Sequence, residues 1–370
     1  MNQSFPQFET TSQLGGIPKR KLSGHDFYRH VLGNPKYIVA PMVEQSELAW
    51  RILSRRHGAQ AVYTPMINSK LFTNSNKKYI LENFNMVEGE EGGPHDRPLV
   101  VQFCGNDPNA LLAAAKLVEG HCDAVDINLG CPQEIARRGK YGAFLQDDWA
   151  LIYELINTLH LNLEVPVTAK FVTVEYAKML ESAGAQVLTC HGRIREQRGQ
   201  NCGLADWSKI RAVKEAVSVP VVANGNILYH EDIHRCLEET GADGVMSAEG
   251  NLYNPGIFDE RDPNPPHADL ALEYLDIVHS LNTVTSPGAI RSHLFKLLRP
   301  SLSLERNRDL RDHLGKIHAD ERASRGSDSA GIVRRREDGL REIPHWLAQP
   351  YIRLVVVPVE DLKIKGRTSN

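Results

Sequence analysis

Eight short apolar runs, rich in β-branched residues, recur along the chain with helix-like stretches between them. They lie at residues 37–41, 61–65, 99–104, 124–129, 165–170, 187–191, 219–224 and 244–247. Continuously apolar strands of this kind are typical of a parallel sheet that helices cover on its faces. Eight strands alternating with helices predict a (β/α)8 barrel, a TIM barrel of the α/β class. An open doubly wound sheet is the competing architecture, but the strand count and the lack of a GxGxxG turn disfavour it.

The chain extends well beyond the predicted barrel. We expect a flexible lead over residues 1–33, the barrel over 34–262 and, after a Pro-rich stretch, a small all-α helical domain over 267–320. Residues 321–370 are predicted to form a flexible, basic and partly disordered tail. Within that tail, an apolar and aromatic segment near 343–357 is expected to dock back onto the body.

Charge is unevenly distributed along the 370 residues, whose formal net charge is only -3. Residues 291–370 contain 17 Lys and Arg against 11 Asp and Glu, a net charge of +6, and the remainder carries -9. A basic end on an acidic body suggests a polyanionic partner, although a solvated tail without a ligand gives the same pattern.

The sequence favours a cytoplasmic protein. Its amino terminus has no charged region followed by an apolar one, and no apolar run reaches the length of a membrane span. Residues 18–21, PKRK, are either a weak nuclear address or a solvated basic turn, so a nuclear pool is the alternative. The six cysteines include no CxxC pair, which argues against a disulfide framework and a zinc knuckle. We expect no metal site, no membrane association and no obligate protein partner.

The most informative motif is the segment 126–145, DINLGCPQEIARRGKYGAFL. It follows the fourth predicted strand, so Asn128 and Cys131 are expected at the carboxyl end of the barrel, where this fold carries out its chemistry. Arg137 and Arg138 follow in a glycine-rich loop that can approach a ligand closely. In these surroundings the Cys131 thiol can act as a nucleophile or as a general acid, and the alternative is a buried apolar cysteine.

Polar residues at the ends of other strands are expected at the same rim. Gln102 ends the third strand, Lys170 the fifth and His191 the sixth, with Arg193 two residues further on. An amide, a lysine and an imidazole can together hydrogen-bond and neutralise a flat, anionic ligand. Each of them alone is more often a surface or capping residue.

Three further loops at this rim consist mainly of small or apolar residues. They are Pro41, Met42 and Val43 after strand one, Asn224, Gly225 and Asn226 after strand seven, and Ala248 and Glu249 after strand eight. The first would place apolar backbone against a flat ring. The other two occupy the positions that hold phosphate groups in barrels of this type through main-chain N–H groups. A tight turn without a ligand is the alternative for either loop alone.

Together these motifs resemble those of the tRNA-dihydrouridine synthases, most closely the eukaryotic branch that modifies positions 16 and 17 of the tRNA D-loop. The segments that carry the resemblance are VAPMV, YTPMI, QFCGNDP, DINLGCPQ with ARRGKYGAFL, CHGR, VVANGNI and GADGVMSAEGNLYNP. PHWLAQPYIR near the carboxyl end is similar to the tail of that branch. The DINLGCP element is the most specific of these matches, whereas the barrel pattern is shared by many families.

The resemblance implies an FMN-dependent reductase that uses NADPH and acts on tRNA. In that chemistry the flavin passes a hydride to C6 of a uracil, and the cysteine corresponding to Cys131 protonates C5 from the opposite face. The helical domain and the basic tail would bind the tRNA backbone. Family correspondence places FMN among Pro41, Met42, Val43, Gln102, Lys170, His191, Asn224, Gly225, Asn226, Ala248 and Glu249. Candidate contacts of the extruded nucleotide are Asn128, Arg137, Arg138 and Arg193.

One stretch departs from the family pattern. After Lys170 the family usually has a second basic residue and a longer loop, whereas here AKFVTVEYAKML passes almost directly from strand to helix. The stretch is about ten residues short, although a connection of roughly two residues is geometrically possible. Two alternatives to the synthase stay open. One is a flavin reductase of a free pyrimidine, and the other is a tRNA-binding barrel whose catalysis is impaired by the short connection.

Overall fold

The structure is a computed structural model that describes residues 21–74, 77–171, 174–193, 197, 203–316, 334–335, 341–345 and 347–351. Residues 1–20 of the predicted lead, most of the predicted tail and the part of the predicted docking segment after Tyr351 therefore lie outside the described residues.

Eight parallel strands close into a barrel. They are β1 (Tyr37–Val39), β2 (Ala61–Tyr63), β3 (Leu99–Cys104), β4 (Ala124–Asn128), β5 (Val167–Phe171), β6 (Val187–His191), β7 (Val221–Asn224) and β8 (Gly244–Ser247). Strand β1 pairs with β2 on one side and with β8 on the other, which closes the sheet. A short strand, Ile67–Asn68, adds to the end of β3 and was not anticipated from the sequence. The predicted (β/α)8 barrel is confirmed.

Eleven helices belong to the barrel part of the described chain. They are α1 (Gly24–His30), α2 (Leu48–Arg56), α3 (Ser69–Thr73), α4 (Lys77–Asn83), α5 (Pro108–Val118), α6 (Glu134–Gly139), α7 (Trp149–Asn162), α8 (Val174–Ser182), α9 (Trp207–Ala216), α10 (His230–Thr240) and α11 (Glu249–Tyr253). Side-chain caps start several of them, since Asp107 and Asp148 accept hydrogen bonds from the first-turn N–H groups of α5 and α7. Two residues separate the end of β5 from the start of α8, which is the short connection that the sequence indicated.

Helix α1 closes the amino-terminal end of the barrel. Phe27 and Tyr28 are buried, and they pack with Leu32 against the inward-facing side chains of the strands. The Tyr28 hydroxyl donates a 2.6 Å hydrogen bond to the Pro35 carbonyl, and a side chain at Gly244 would collide with both groups. Residues 21–33 are thus structured where the sequence suggested a flexible lead, because two aromatic side chains there are needed to keep water from the barrel interior.

A second group of helices follows the barrel. It comprises α12 (His267–Ser280), α13 (Pro287–Leu297), α14 (Arg299–Leu302) and α15 (Arg308–Lys316). These helices share an apolar cluster with α2 of the barrel. Residues 347–351 pack on them as well, since the Ala348 N–H donates to the Pro265 carbonyl at 2.8 Å and Arg299 stacks on the Tyr351 ring at 3.8 Å. No helix within the described ranges combines the length and apolar character that crossing a membrane requires.

A buried polar cluster joins the barrel to these helices. The Glu47 carboxylate accepts hydrogen bonds from the Tyr274 hydroxyl at 2.8 Å and from the His293 Nε2 at 3.0 Å. The His293 ring also stacks on Trp50 with 3.9 Å between ring centroids. Burial alone would raise the pKa of Glu47, but the charge of His293 and the hydrogen bonds from His293 and Tyr274 lower it overall.

We predict that Glu47→Gln lowers the free energy of unfolding by about 2 kcal/mol, because it removes the charged acceptor of two buried donors. Because the folded-state pKa of Glu47 is lowered from 4.5, its contribution is present above that pH. The contribution is lost as the pH falls through the folded value. Urea unfolding of both proteins at neutral and acidic pH measures the difference. Glu273→Gln, which breaks the partly exposed pairs with Arg56 and His57, is the control and should cost less than about 1 kcal/mol. Equal losses in the two variants would contradict a special role for Glu47.

Candidate active site

The carboxyl ends of the strands bring the predicted polar residues to one rim. Gln102 lies on β3, Asn128 on β4, Lys170 on β5 and His191 on β6. The strand register makes them neighbours, since Asn128 pairs with Lys170 across β4 and β5, and His191 pairs with Asn224 across β6 and β7. The rim therefore carries amide, ammonium and imidazole groups side by side.

A fully buried carboxylate, Asp126, connects several of these groups from below. Its Oδ2 accepts a hydrogen bond from the Gln102 side-chain amide at 2.8 Å, and its Oδ1 accepts one from the Thr168 hydroxyl at 2.6 Å. The carbonyl oxygen of the same Gln102 amide accepts from the Asn128 side chain at 2.9 Å. Because a carboxylate can only accept, Asp126 fixes the orientation of the Gln102 amide.

Burial raises the pKa of Asp126 to about 6, although the hydrogen bonds from Thr168 and Gln102 and the charge of Lys170 lower it in part. Burial also lowers the pKa of Lys170, an effect that Asp126 and Cys131 oppose. Lys170 itself is partly buried at the end of β5. Lys170 at the rim and Asp126 below it therefore influence each other's ionisation.

Cys131 is held at the rim by its own loop. Asn128 Oδ1 accepts hydrogen bonds from the N–H groups of Gly130 and Cys131, at 3.2 and 2.9 Å. The Ala143 N–H donates to the Cys131 carbonyl at 3.1 Å. Gly142 has a φ of +64°, and a Cβ there would lie 2.8 Å from that carbonyl oxygen, so only glycine allows this close approach.

The electrostatic surroundings of Cys131 distinguish among its three predicted roles. The residue is only partly buried, which disfavours the buried apolar cysteine. Burial nevertheless raises the pKa of the thiol, and a backbone hydrogen bond at Gln133 and the charge of Lys170 lower it only in part. A thiol that stays protonated at neutral pH is a poor nucleophile but a competent proton donor. The direction of this pKa shift therefore favours the general acid over the nucleophile.

Arg137 and Arg138 lie on α6, immediately after Cys131, and face solvent. Both are near Glu134, with N–O distances of 3.6 and 3.5 Å, and their side chains are 65% and 80% exposed. Such exposed pairs contribute little to stability. The two guanidinium groups are therefore accessible to an anion that approaches the rim.

The loops after β6 and β7 are tied together by two of the predicted contact residues. The Asn226 side chain donates to the Ala205 carbonyl at 2.7 Å and accepts from the Ala205 N–H at 2.8 Å. Arg193 donates to Asn226 Oδ1 at 3.1 Å and to the Gly203 carbonyl at 3.0 Å. These side chains thus brace the two loops, a structural role that spacing in the sequence did not indicate.

His191, at the end of β6, and Gly225, directly after β7, lie side by side at the rim. Within the described part of the chain, the buried Nδ1 of His191 has no hydrogen-bond partner. Gly225 has a φ of +118°, and a Cβ there would lie 3.3 Å from His191 Cε1 and 2.6 Å from the Ala205 Cβ. Burial, with Lys170 and Arg193 nearby, holds the pKa of His191 well below its ordinary value, so the imidazole is neutral. An unpaired buried nitrogen suits a bound ligand, and glycine is required beside it because a Cβ would collide with Ala205.

The remaining predicted residues lie around the same rim. The Asn224 amide donates to the Met246 carbonyl at 2.8 Å and so joins β7 to β8. Gly250, directly after Glu249, has no room for a side chain against the Ile227 carbonyl, which packs the loops after β7 and β8 together. After β1, Pro41 and Met42 are partly buried and Val43 is exposed, and Ala248 packs partly against the barrel interior.

Sequence reasoning missed Asp126 and Thr168. Asp126 belongs to the DINLGCP segment but precedes the strand end, where catalytic side chains were sought. Its signal was a charged residue inside an otherwise apolar strand, since a buried carboxylate requires hydrogen-bond donors.

A family model described as dihydrouridine synthase (Dus) matches residues 38–326. The tRNA-dihydrouridine(16/17) synthase of Saccharomyces cerevisiae, whose name carries NAD(P)+, is 48% identical over 377 residues, covering 91% of this chain and 88% of that protein. A Rattus norvegicus protein named as similar to that synthase is 47% identical over 350 residues, covering 90% and 77%. A human protein named as similar to the 20a/20b synthase is 35% identical over 251 residues, covering 64% and 76%.

We predict that alkylation of Cys131 by iodoacetamide rises with pH to a midpoint above the ordinary thiol value of 9.0, because burial disfavours the thiolate. Lys170→Met should move the midpoint still higher, since it removes a charge that favours the thiolate. Mass spectrometry of the peptide that contains Cys131 gives the rates. Lys140→Met, which removes an exposed cation from the same loop, should leave the midpoint unchanged. A midpoint below 9.0 in the parent protein would contradict the raised pKa of the Cys131 thiol.

Proposed function

The chain belongs to the dihydrouridine synthase family, and we propose that it reduces the C5–C6 double bond of uridines in the tRNA D-loop, at positions 16 and 17. The relatives of higher identity carry the 16/17 designation in their names, which supports these positions. The same names include NAD(P)+, and we infer NADPH as the reductant. The observation that carries the proposal is the placement of Cys131, whose backbone the Asn128 side chain holds at a rim of polar groups.

We infer FMN as the cofactor, and the residues at the rim fit it. The unpaired Nδ1 of His191 and the absence of a side chain at Gly225 suit a flat, anionic molecule. The Gln102 amide, oriented by Asp126, suits the polar edge of the ring, and Lys170 would neutralise its negative charge. The loops after β7 and β8 would bind the phosphate through main-chain N–H groups. When bound, FMN would supply the hydride for C6 of the uracil.

Saturation of the double bond also requires a proton at C5, and Cys131 is placed to give it. Its Sγ–H bond breaks as the new C–H bond forms, and the electron pair stays on sulfur. The charge of Lys170 lowers the pKa of this thiol, so it stabilises the thiolate that remains. Asn128 holds the loop through two backbone N–H groups and thereby orients the thiol.

The short connection after β5 leaves Lys170 in the regular barrel ladder. Lys170 pairs with Asn128 on one side and with Thr189 on the other, and its carbonyl accepts the Leu129 N–H at 2.9 Å. The missing loop therefore does not displace the lysine, which disfavours a barrel with impaired catalysis.

A basic cavity among the appended helices supports a polyanionic substrate over a free pyrimidine. It has a volume of about 420 Å³. Three of the eight residues that line it are cationic, Lys296, Arg299 and Arg311, and none of the eight is acidic. The Lys296 ammonium is held by the Ser292 hydroxyl at 2.8 Å, and Arg299 is held by its stacking on Tyr351. Phosphate groups of the tRNA backbone are the anions that fit such a cavity.

We predict that Cys131→Ala retains bound flavin and its reduction by NADPH but loses dihydrouridine formation by about a hundredfold or more, since only the proton donor is removed. Flavin absorbance measures the first two properties. Mass-spectrometric mapping of tRNA from cells that contain only the variant measures the third. Normal dihydrouridine at positions 16 and 17 in these cells would contradict the acid role. A colourless parent protein that FMN cannot reconstitute would contradict the flavin reductase itself.

We predict that Lys296→Gln combined with Arg311→Gln weakens tRNA binding and lowers the slope of log affinity against log salt by about two, because two phosphate contacts are lost. Flavin content should not change. Binding measured across a salt series tests this, with Lys116→Gln on α5 as the control for loss of an exposed cation. An unchanged slope in the double variant would place the tRNA elsewhere.

A further inference from the structure

A cluster of possible metal ligands lies outside the rim, at the start of α10. Residues 230–234 read HEDIH, so His230 and His234 are one helical turn apart on the same face. Their Nε2 atoms are 3.3 Å apart. A carboxylate oxygen of Glu260 completes a set of three potential ligand atoms that all lie within 4.8 Å of one another.

We propose that His230, His234 and Glu260 bind a divalent cation of the zinc class. Two nitrogens bound tetrahedrally to zinc at about 2.0–2.1 Å lie about 3.3 Å from each other, which is the separation that the two imidazoles already have. Two imidazoles and one carboxylate form a ligand set that zinc accepts, with water in the fourth position. Magnesium and calcium prefer sites made of oxygen atoms alone.

The protein fixes the tautomer that this role requires. His230 Nδ1 is 2.9 Å from the Ile257 carbonyl oxygen. A carbonyl only accepts hydrogen bonds, so Nδ1 carries the proton and Nε2 keeps its lone pair. Hydrogen bonds of this kind orient most metal-binding histidines.

The Glu260 carboxylate is oriented as well. The Tyr37 hydroxyl donates to Glu260 Oε1 at 2.5 Å. The Tyr37 ring meets the His230 ring edge to face, with 5.8 Å between centroids, and stacks on Phe258. One tyrosine therefore contacts one ligand through its hydroxyl and another through its ring.

Without a cation, the same three groups would form a simpler arrangement. His234 Nε2–H would donate to His230 Nε2, and Glu260 would keep only its bond from Tyr37. The histidine pair would form whether or not the Glu260 carboxylate is present, whereas the proposed cation site uses that carboxylate as a ligand. The two interpretations therefore differ in whether replacing Glu260 weakens zinc binding.

The proposed site would join two segments that are distant in sequence. Helix α10 packs on the barrel, and Glu260 lies in the stretch that leads from the barrel to α12. That stretch is already in close contact with the turn after α2, because a side chain at Gly58 would collide with the Phe258 carbonyl. A bound cation would clamp the connection between the barrel and the appended helices and would raise thermal stability. The inference does not depend on the proposed synthase function.

The test is a zinc titration of the full-length chain after treatment with a chelator, followed by calorimetry and metal analysis. We expect His234→Gln to bind one equivalent of zinc less than the parent, and Glu260→Gln to bind that zinc at least tenfold more weakly. Tyr37→Phe should weaken it about tenfold, since the carboxylate loses its orienting bond. Zinc bound by cysteine thiols elsewhere is the same in the parent and the variants, so it does not contribute to the difference between them.

His279→Gln is the matched control. His279 lies on α12, and its Nδ1 also bonds a backbone carbonyl, that of Leu275, at 2.7 Å, but it is not part of the cluster. Zinc binding should be unchanged in this variant. Melting curves without metal show whether each variant folds. If His234→Gln fails to fold, Glu260→Gln still tests the site, since it changes only an exposed side chain. Equal zinc content and affinity in the parent, His234→Gln and Glu260→Gln would overturn the proposal, as would magnesium binding with the affinity of zinc.

Discussion

The buried carboxylate of Asp126 is the group on which the rim of the barrel depends. A charge inside a barrel is costly unless donors surround it, and here Gln102 and Thr168 supply them from the two neighbouring strands. The bond to Asp126 fixes the Gln102 amide, whose oxygen accepts a hydrogen bond from the Asn128 side chain. The Asn128 oxygen in turn accepts the backbone N–H of Cys131. The backbone of Cys131 is therefore linked, through the side chains of Asn128 and Gln102, to a carboxylate that no solvent reaches.

A second, partly buried carboxylate serves the architecture. Glu47, at the start of α2, receives hydrogen bonds from Tyr274 on α12 and His293 on α13, while Trp50 stacks on the same histidine. The appended helices are thus fixed to the barrel by directional polar bonds as well as by apolar packing. Directional bonds specify one relative placement, whereas apolar contact alone allows several. That placement sets where the cavity lined by Lys296 and Arg311 lies relative to the rim.

Much of the fold could be predicted from the sequence, because eight continuously apolar runs have few alternatives to a closed parallel barrel. The rim residues Gln102, Lys170 and His191 could be predicted for the same reason, since strand ends meet at one edge. Asp126 could not be singled out in this way, because its importance comes from Thr168, 42 residues away. The bracing roles of Arg193 and Asn226 depend likewise on two loops meeting in space. His230 and His234 have a recognisable spacing, but Glu260 reaches them only through the path of the chain after β8.

Helix α1, which closes the amino-terminal end of the barrel, determines from which side ligands can reach Cys131. Phe27, Tyr28 and Leu32 fill the space between the strand beginnings, so the interior has no passage at that end. Every molecule that reaches Cys131 must arrive from the opposite side and depart by the same route. Cofactor and substrates, whatever their size, therefore share a single access route at the carboxyl ends of the strands.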